Sequence, residues 1–541
     1  MKTVVLGFDA LDWRYLERFS SSLPNFTALR ERGVEAPLES THPPWTGSAW
    51  PSMYTGTDPS HHGVYGFFDY DGYPDDGHLV SRADVHRPAL WNYLSDDGVP
   101  SVVLNVPVTH PAEPIDGVLV PGYLAAEDES GQPEGIRDEL SDELGETYTI
   151  YSRGEISDDP DEKFAGYLEL IEQRRGAAVA LLENHEWEFA LLQVQKTDAV
   201  FHNFDDERRF RAIYEAADRL LGDVLQSVDE ATNVVVCSDH GIGRLDGYQI
   251  HVNEVLAEHG FVETTAEGDR LSLGSEKKSL LGTTEEDRDE TGTLERTLLA
   301  GQRVATGLGV EPSDVYAAAK RLGLESALVR LVPESMQRAA GETVDWRRSR
   351  AYCPDETRMG VRINLEGREP DGVVSPSEYE TVRDELVEIL SGLETPDGEP
   401  AFDYVCRRER LFDGPFLDDA PDVLFLPAGM DHTVSTALYG QRFVPVDAHD
   451  HKLDGVFVGA GPGFEASADV GRLSLPDVAP IAMALLDRPV PSRMTGSVPD
   501  GLLAGPARRV DYGDIAYGTG VTEPTVDDGA VTERLEDLGY L

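Results

Sequence analysis

A chain of 541 residues exceeds the roughly 250 to 300 at which a single hydrophobic core stops growing, so a large domain with a smaller one or an insertion is expected. With 40% hydrophobic residues and no apolar run near the roughly 18 residues of a membrane span, it is expected to cross no bilayer. A formal charge of -54, with 39 arginines but only seven lysines against 100 acidic residues, excludes the basic stripes that bind nucleic-acid polymers and suits a halophilic protein, soluble in molar salt where the Debye length is about 3 Å.

Met1-Lys2 leads directly into Thr3-Val4-Val5-Leu6-Gly7-Phe8-Asp9, too short and too soon acidic for the apolar part of a signal peptide, so the expected setting is cytoplasmic. Residues 3–8 read as a buried strand and 24–32 as a helix. Pro43-Pro44-Trp45-Thr46-Gly47-Ser48-Ala49-Trp50-Pro51 then marks a turn opening a short helix, with Pro51 in its first turn and Gly56 placed to end it. Thr46 would stand just before the helix N-terminus, where unpaired N–H groups and the dipole favour an anion. Capping of the helix by Thr46 or Ser48 is the plainer use of the same residues.

Further along, helices are expected at 89–96, 162–184, 210–228, 377–393 and 475–486, and strands at 101–106, 189–195, 233–237, 423–427 and 455–460. Short apolar runs alternating with helices predict an α/β fold with a doubly wound, mostly parallel sheet. The rhythm breaks after Phe261 into a polar, acidic stretch (264–293) and helical patterns at 294–307 and 313–331, which read as an inserted cap. The expected division is 1–255 for the first part of the core, 256–420 for the cap, and 421–541 for the second part with a C-terminal helix over 531–541. Cys237, Cys353 and Cys406 supply neither a disulfide framework nor a thiolate metal site.

Ligands of an open parallel sheet gather beyond the carboxyl ends of its strands. Three expected strands end there in Asp9, in Asp198 and in the pair Asp239-His240. A lone Asp at such a place more often caps the next helix, but three together are harder to explain that way. Asp198 and His202, four residues apart, share one face of a helical turn. Asp239 and His240, being adjacent, point apart unless the backbone bends, which Gly241 and Gly243 permit. With His451 near the last strand these make six ligands, enough for two divalent metal ions. Carboxylate oxygens with imidazole nitrogens suit Zn²⁺, placed first, and also Mn²⁺ or Fe²⁺. The hydroxyl of Thr46 beside such an ion could attack phosphorus.

The order Asp9, Thr46, Asp198-x-x-x-His202, Asp239-His240, His451 resembles the alkaline phosphatase superfamily, in its type I phosphodiesterase/nucleotide pyrophosphatase branch. Thr46 to Gly63 is similar to the nucleophile stretch of that branch, with Thr55-Gly56-x-x-Pro59-x-x-His62-Gly63 as its tail. Thr197 to His202, Ser238 to Gly241, Val344-Asp345-Trp346, Arg362 to Arg368 and Asp418 to Asp422 extend the resemblance over most of the chain.

The resemblance implies that Asp198, His202 and His451 hold one ion, while Asp9, Thr46, Asp239 and His240 surround the second. His451 is preferred to His449 because His451-Lys452-Leu453-Asp454-Gly455 runs into the last strand with the family's spacing. Hydrolysis of a small phosphorylated substrate, a phosphodiester or pyrophosphate, through a phospho-threonine on Thr46 is implied, with the Gly47 N–H as a candidate oxyanion donor. His61 and His62 read as structural residues of the turn after the nucleophile helix. Alternatives are a phosphomonoesterase or phosphomutase on the same core, or a catalytically silent binding relative. Sulfatase chemistry lacks its Cys/Ser-x-Pro-x-Arg setting. Where the nucleotide pyrophosphatases carry a phosphate-binding Asn beyond the nucleophile, this chain has Gly66-Phe67-Phe68-Asp69, so nucleotide recognition is not implied.

Overall fold

The computed structural model describes residues 1–70, 77–157, 159–265, 343–438, 440–465, 468 and 470–518. The expected helices at 294–307, 313–331 and 531–541, and the acidic stretch beyond Thr265, lie outside the described residues.

The apolar runs build a central sheet of eight strands: β1 (Thr3–Phe8), β2 (Val34–Glu39), β3 (Ser101–Val106), β4 (Gly117–Pro121), β5 (Phe189–Val194), β6 (Asn233–Cys237), β7 (Asp454–Ala460) and β8 (Leu473–Ser474). Their order across the sheet is β8-β2-β7-β6-β1-β5-β3-β4. Every residue of β1, β3, β5 and β6 is buried, as strands covered by helices on both faces require. Neighbours run parallel except β7, which is antiparallel to both β2 and β6. The reversal of β7 differs from the expected parallel strand and matters for the site: it brings the start of β7 to the edge where β1, β5 and β6 end.

The expected helices form at Pro24–Arg32, Leu90–Asp96, Pro160–Asn184, Glu207–Ser227 and Tyr379–Ser391. The two long ones begin earlier than their apolar period suggests, because Asp159 and Asp206 cap polar first turns that carry no periodic signal. The pattern at 475–486 divides into a 3-10 turn, Leu475–Asp477, and an α-helix, Val478–Leu485.

Strand Val423–Pro427 does not join the central sheet. It pairs antiparallel with Gly360–Ile363 and Phe402–Arg407 in a four-stranded sheet over a second apolar core that includes Ile250, Val361, Leu386, Phe402 and Phe425. A short apolar run reads alike in either setting, which is why periodicity could not separate them. Two stretches singled out in the sequence, Arg362 to Arg368 and Asp418 to Asp422, lock this sheet together. Arg368 forks onto both oxygens of buried Asp422 at 2.7 Å, and Arg362 bonds Glu369 at 2.7 Å. Trp45 packs on both cores. Among the described residues, no helix is long and apolar enough to cross a membrane.

Candidate active site

Asp9 follows β1 directly, and its own amide bonds the Val194 carbonyl at the end of β5. After β5, helix Lys196–Asn203 carries Asp198 and His202 one turn apart, and His202 Nε2 lies 3.2 Å from Asp198 Oδ1. After β6 come Asp239 and His240, and the chain continues as strand Gly241–Leu245. That strand pairs antiparallel with Ala448–Lys452, placing His451 opposite Ile242 just before β7 begins. Gly241 and Gly243 serve this ribbon differently from the expected bend. Neither lies in the left-handed region; side chains there would collide with the Asp454 carbonyl and with Arg14.

Helix Thr46–Thr55 follows β2 at the same edge, with Trp45 as its N-cap and Gly56 closing it at φ 65°. Thr46 is thus the first helical residue rather than the one before it. Pro51 lies inside the helix, not in its first turn, so the Gly47 carbonyl loses its usual helical donor. The helix has no side-chain cap: Ser48 Oγ turns back to the Pro43 carbonyl at 2.8 Å, and Thr46 Oγ1 points to Asp9 Oδ1 at 3.5 Å. Ser48 and Ala49 donate their amides to the Trp45 carbonyl, leaving the Thr46 and Gly47 amides without a backbone acceptor among the described residues. Gly47 is held against the chain, since a Cβ there would sit 2.6 Å from the Gly66 carbonyl oxygen.

All seven candidate positions therefore converge. Thr46, Asp9, Asp198, Asp239, His240 and His451 are buried, and His202 is largely so. Asp9, Asp239 and His240 form one cluster, with His240 Nε2 at 3.3 Å from Asp239 Oδ2 and 3.6 Å from Asp9 Oδ1. Asp198 lies between His202 and His451, the latter at 3.6 Å. His449 instead packs on the rings of Phe201 and Phe210. In the turn after the helix, His62 Nε2 meets Ser52 Oγ at 2.9 Å and His61 Nδ1 meets Asp58 at 2.9 Å.

The electrostatics of this cluster favour a cation. Burial, then the carboxylates of Asp239 and Asp198, push the Asp9 carboxyl well above its ordinary range. Burial also raises Asp239, with Asp198 adding to it against the opposing pull of His240. His451 is driven well below the usual imidazole range by burial and by the two neighbouring rings, His240 and His202. His202 moves up: burial lowers it, but the carboxylate of Asp198 outweighs that. His240 and His451 each have Nδ1 at 3.0 Å from a backbone carbonyl, Gly241 and Pro44, so the tautomer that donates there turns an Nε2 lone pair to the carboxylates. His240 Nε2 and Asp239 Oδ2 are buried and make no hydrogen bond among the described residues. Carboxylates crowded with imidazoles in this way fit divalent ions.

Sequence reading missed four neighbours of these residues. Trp50 and Gln193 bond Asp9, and Asn105 bonds Gln193. Gln193 and Asn105 are polar residues in wholly buried strands, a signal that was present in the sequence. The fourth, Asp450, groups with His202 and His451.

Mixed α/β architecture around a large, mostly parallel sheet, with acidic and imidazole side chains gathered along its carboxyl edge, is an alkaline phosphatase-like fold. The chain belongs to the type I phosphodiesterase / nucleotide pyrophosphatase family, whose sequence profile matches residues 3–325. It is accordingly an enzyme, a phosphoric ester hydrolase of a metal-dependent family. Among solved structures it is similar to phosphonoacetate hydrolase from Sinorhizobium meliloti 1021 in complex with phosphonoformate, at 15% identity and a TM-score of 0.55, covering 90% of this chain and 96% of that one. The same hydrolase in complex with phosphonoacetate matches at 14% identity and a TM-score of 0.54, with the same coverage. A murine ectonucleotide pyrophosphatase / phosphodiesterase 5, inactive and in complex with AMP, matches at 11% identity and a TM-score of 0.49, covering 93% of this chain and all of that one. No curated protein sequence matches significantly.

Proposed function

We propose that the chain hydrolyses phosphodiester or pyrophosphate bonds of small phosphorylated substrates through a covalent ester on Thr46. The observation that carries this reading is the placement of Thr46 Oγ1: first residue of a helix, aimed at Asp9, beside the Asp239 and His240 cluster. Asp198, His202 and His451 would hold one divalent ion, and Asp9, Thr46, Asp239 and His240 the other, with Zn²⁺ first and Mn²⁺ or Fe²⁺ as alternatives. When bound, such ions supply Lewis acidity and lower the pKa of a coordinated hydroxyl.

In the first step Thr46 Oγ bonds to phosphorus as the bond to the leaving oxygen breaks, and the leaving alcohol or phosphate carries away the proton. Water then cleaves the threonine ester, releasing the phosphorylated product and restoring the hydroxyl. The amide of Gly47, at the helix start and without a backbone acceptor among the described residues, would donate to a phosphoryl oxygen, with the helix dipole adding to it.

Thr46→Ala tests the assignment directly: it should lose nearly all turnover of a bis-aryl phosphodiester while retaining its metal content. Wild-type turnover in that variant would remove Thr46 as the nucleophile. A panel adding an aryl phosphomonoester and a nucleotide, each with and without chelator, separates the diesterase from the monoesterase.

We also read residues 256–420 as a cap that sets substrate choice, and the chain as a cytoplasmic protein adapted to molar salt. Three buried free thiols suit a reducing compartment, and the charge of -54 needs screening. Its thermal midpoint should therefore rise as KCl is raised from low to molar concentration.

A further inference from the structure

The two oxygens of Asp9 are engaged by different groups. Oδ1 lies 3.5 Å from Thr46 Oγ1 and 3.6 Å from His240 Nε2. Oδ2 accepts the Trp50 indole N–H at 3.3 Å and the Gln193 amide at 3.1 Å. Trp50 stands one turn after Thr46, so a single face of the helix sends a hydroxyl to one oxygen and an indole to the other. The indole reaches Asp9 across β1 at Gly7, where any Cβ would collide with the ring. Gln193 lies beside Gly7 in the β1–β5 register. Its amide has a fixed orientation, because Asn105 Nδ2 donates to Gln193 Oε1 at 2.7 Å and leaves Nε2 for Asp9. Asn105 holds this pose at φ 61°, a conformation that Asn adopts more readily than most residues. All four of these side chains are buried.

We propose that Trp50, Gln193 and Asn105 are positioning residues that reserve Oδ2 of Asp9, so that Oδ1 alone faces a divalent cation next to Thr46; this rests on the metal-dependent reading of the site. Without the two donors the carboxylate could turn, offer both oxygens, and move the cation relative to the hydroxyl. The helix ties the two positions together, since shifting Thr46 also shifts the indole that holds Asp9.

The test is a Mn²⁺ titration of the full chain, cleared with chelator and kept in molar KCl, for the wild type, Trp50→Phe, Gln193→Leu and Asn105→Asp. Phe keeps an aromatic ring but loses the pyrrole N–H, and Asp replaces the donor that sets the Gln193 amide. The wild type should bind two ions. Each variant should keep one at wild-type affinity and bind the other about 10- to 100-fold more weakly, with kcat reduced. Unchanged binding of both ions in Trp50→Phe and Gln193→Leu would overturn the proposal. So would equal weakening of both ions, which is what general loosening of the fold would give. Should Asn105→Asp fail to fold, the other two variants decide. A wild type that binds no ion would instead overturn the metal-dependent reading itself, a failure visible before any variant is made.

Discussion

His240 and His451 stack face to face, with 3.7 Å between ring centroids and 21° between planes. The contact joins the end of β6 to the strand preceding β7, and it draws the two candidate ligand clusters into one site. Each ring has its Nδ1 beside a backbone carbonyl and its Nε2 beside the carboxylates of the site.

His451→Ala is therefore expected to lower cation affinity by at least about tenfold, the lower bound seen when even an outer partner of a ligand is removed. Metal content after dialysis against limiting Zn²⁺ checks this, and turnover should fall with it. Retention of both ions at wild-type affinity would show that the ring serves packing alone.

Chelation should destabilise the chain, and more so at higher pH. The folded-state pKa values of Asp9 and Asp239 lie above their ordinary value of 3.8, so without cations these two groups hold more protons in the folded protein than in the unfolded chain as pH rises past that value. Stability then falls as pH rises through that window, and cations that compensate the ionised carboxylates oppose the fall. Thermal melts with and without chelator, at about pH 5 and about pH 8, should show the larger gap at the higher pH. An equal gap at both would remove the carboxylates as its source.

The sequence made legible what strand ends and period dictate. Asp9, Asp198 and Asp239 follow fully buried apolar runs, and the four-residue spacing of Asp198 and His202 survives as one helical face. Hidden from it was everything set by direction or by distant pairing. No local signal tells that β7 runs antiparallel, that the ribbon of Gly241–Leu245 with Ala448–Lys452 delivers His451, or that Val423–Pro427 belongs to another sheet. Gly241 could be read as a conformational need only because the carbonyl of Asp454 that crowds it comes from far along the chain.

Gly47→Ala should cost activity. A methyl there would lie 2.6 Å from the Gly66 oxygen and 2.9 Å from its carbonyl carbon, and backbone cannot yield as a flexible side chain does. Relief requires the first turn of the helix to shift, carrying Thr46 with it. Overpacking of this kind costs about 1–3 kcal/mol, so folding should survive while kcat drops. Full kcat in a folded Gly47→Ala would mean that the approach of helix and Gly66 does not position the hydroxyl.

The Arg368–Asp422 pair offers a pH test away from the site. Burial pushes the Asp422 carboxyl up, but the bidentate bond to Arg368, helped by Arg362 and Arg408, outweighs it and sets its pKa at about 2. Asp422 also accepts the Ile363 amide at 2.7 Å and the Tyr379 hydroxyl at 2.6 Å, tying a strand of the second sheet and the helix Tyr379–Ser391 to the residue that precedes Val423–Pro427. A depressed folded pKa gives stability that is present above the unfolded value of 3.8 and lost as pH falls toward 2. At about 1.4 kcal/mol per unit, this single group accounts for roughly 2 kcal/mol over that window. Asp422→Asn should cost at least as much at neutral pH, because it removes the bidentate acceptor and leaves the Arg368 guanidinium with Glu369 alone, on its Nε, as counter-charge. Denaturant melts of wild type and variant between about pH 5 and pH 2 should therefore converge as acid removes from the wild type what the substitution has already removed. Parallel curves across that range would mean that Asp422 is not ionised against Arg368 in the folded protein.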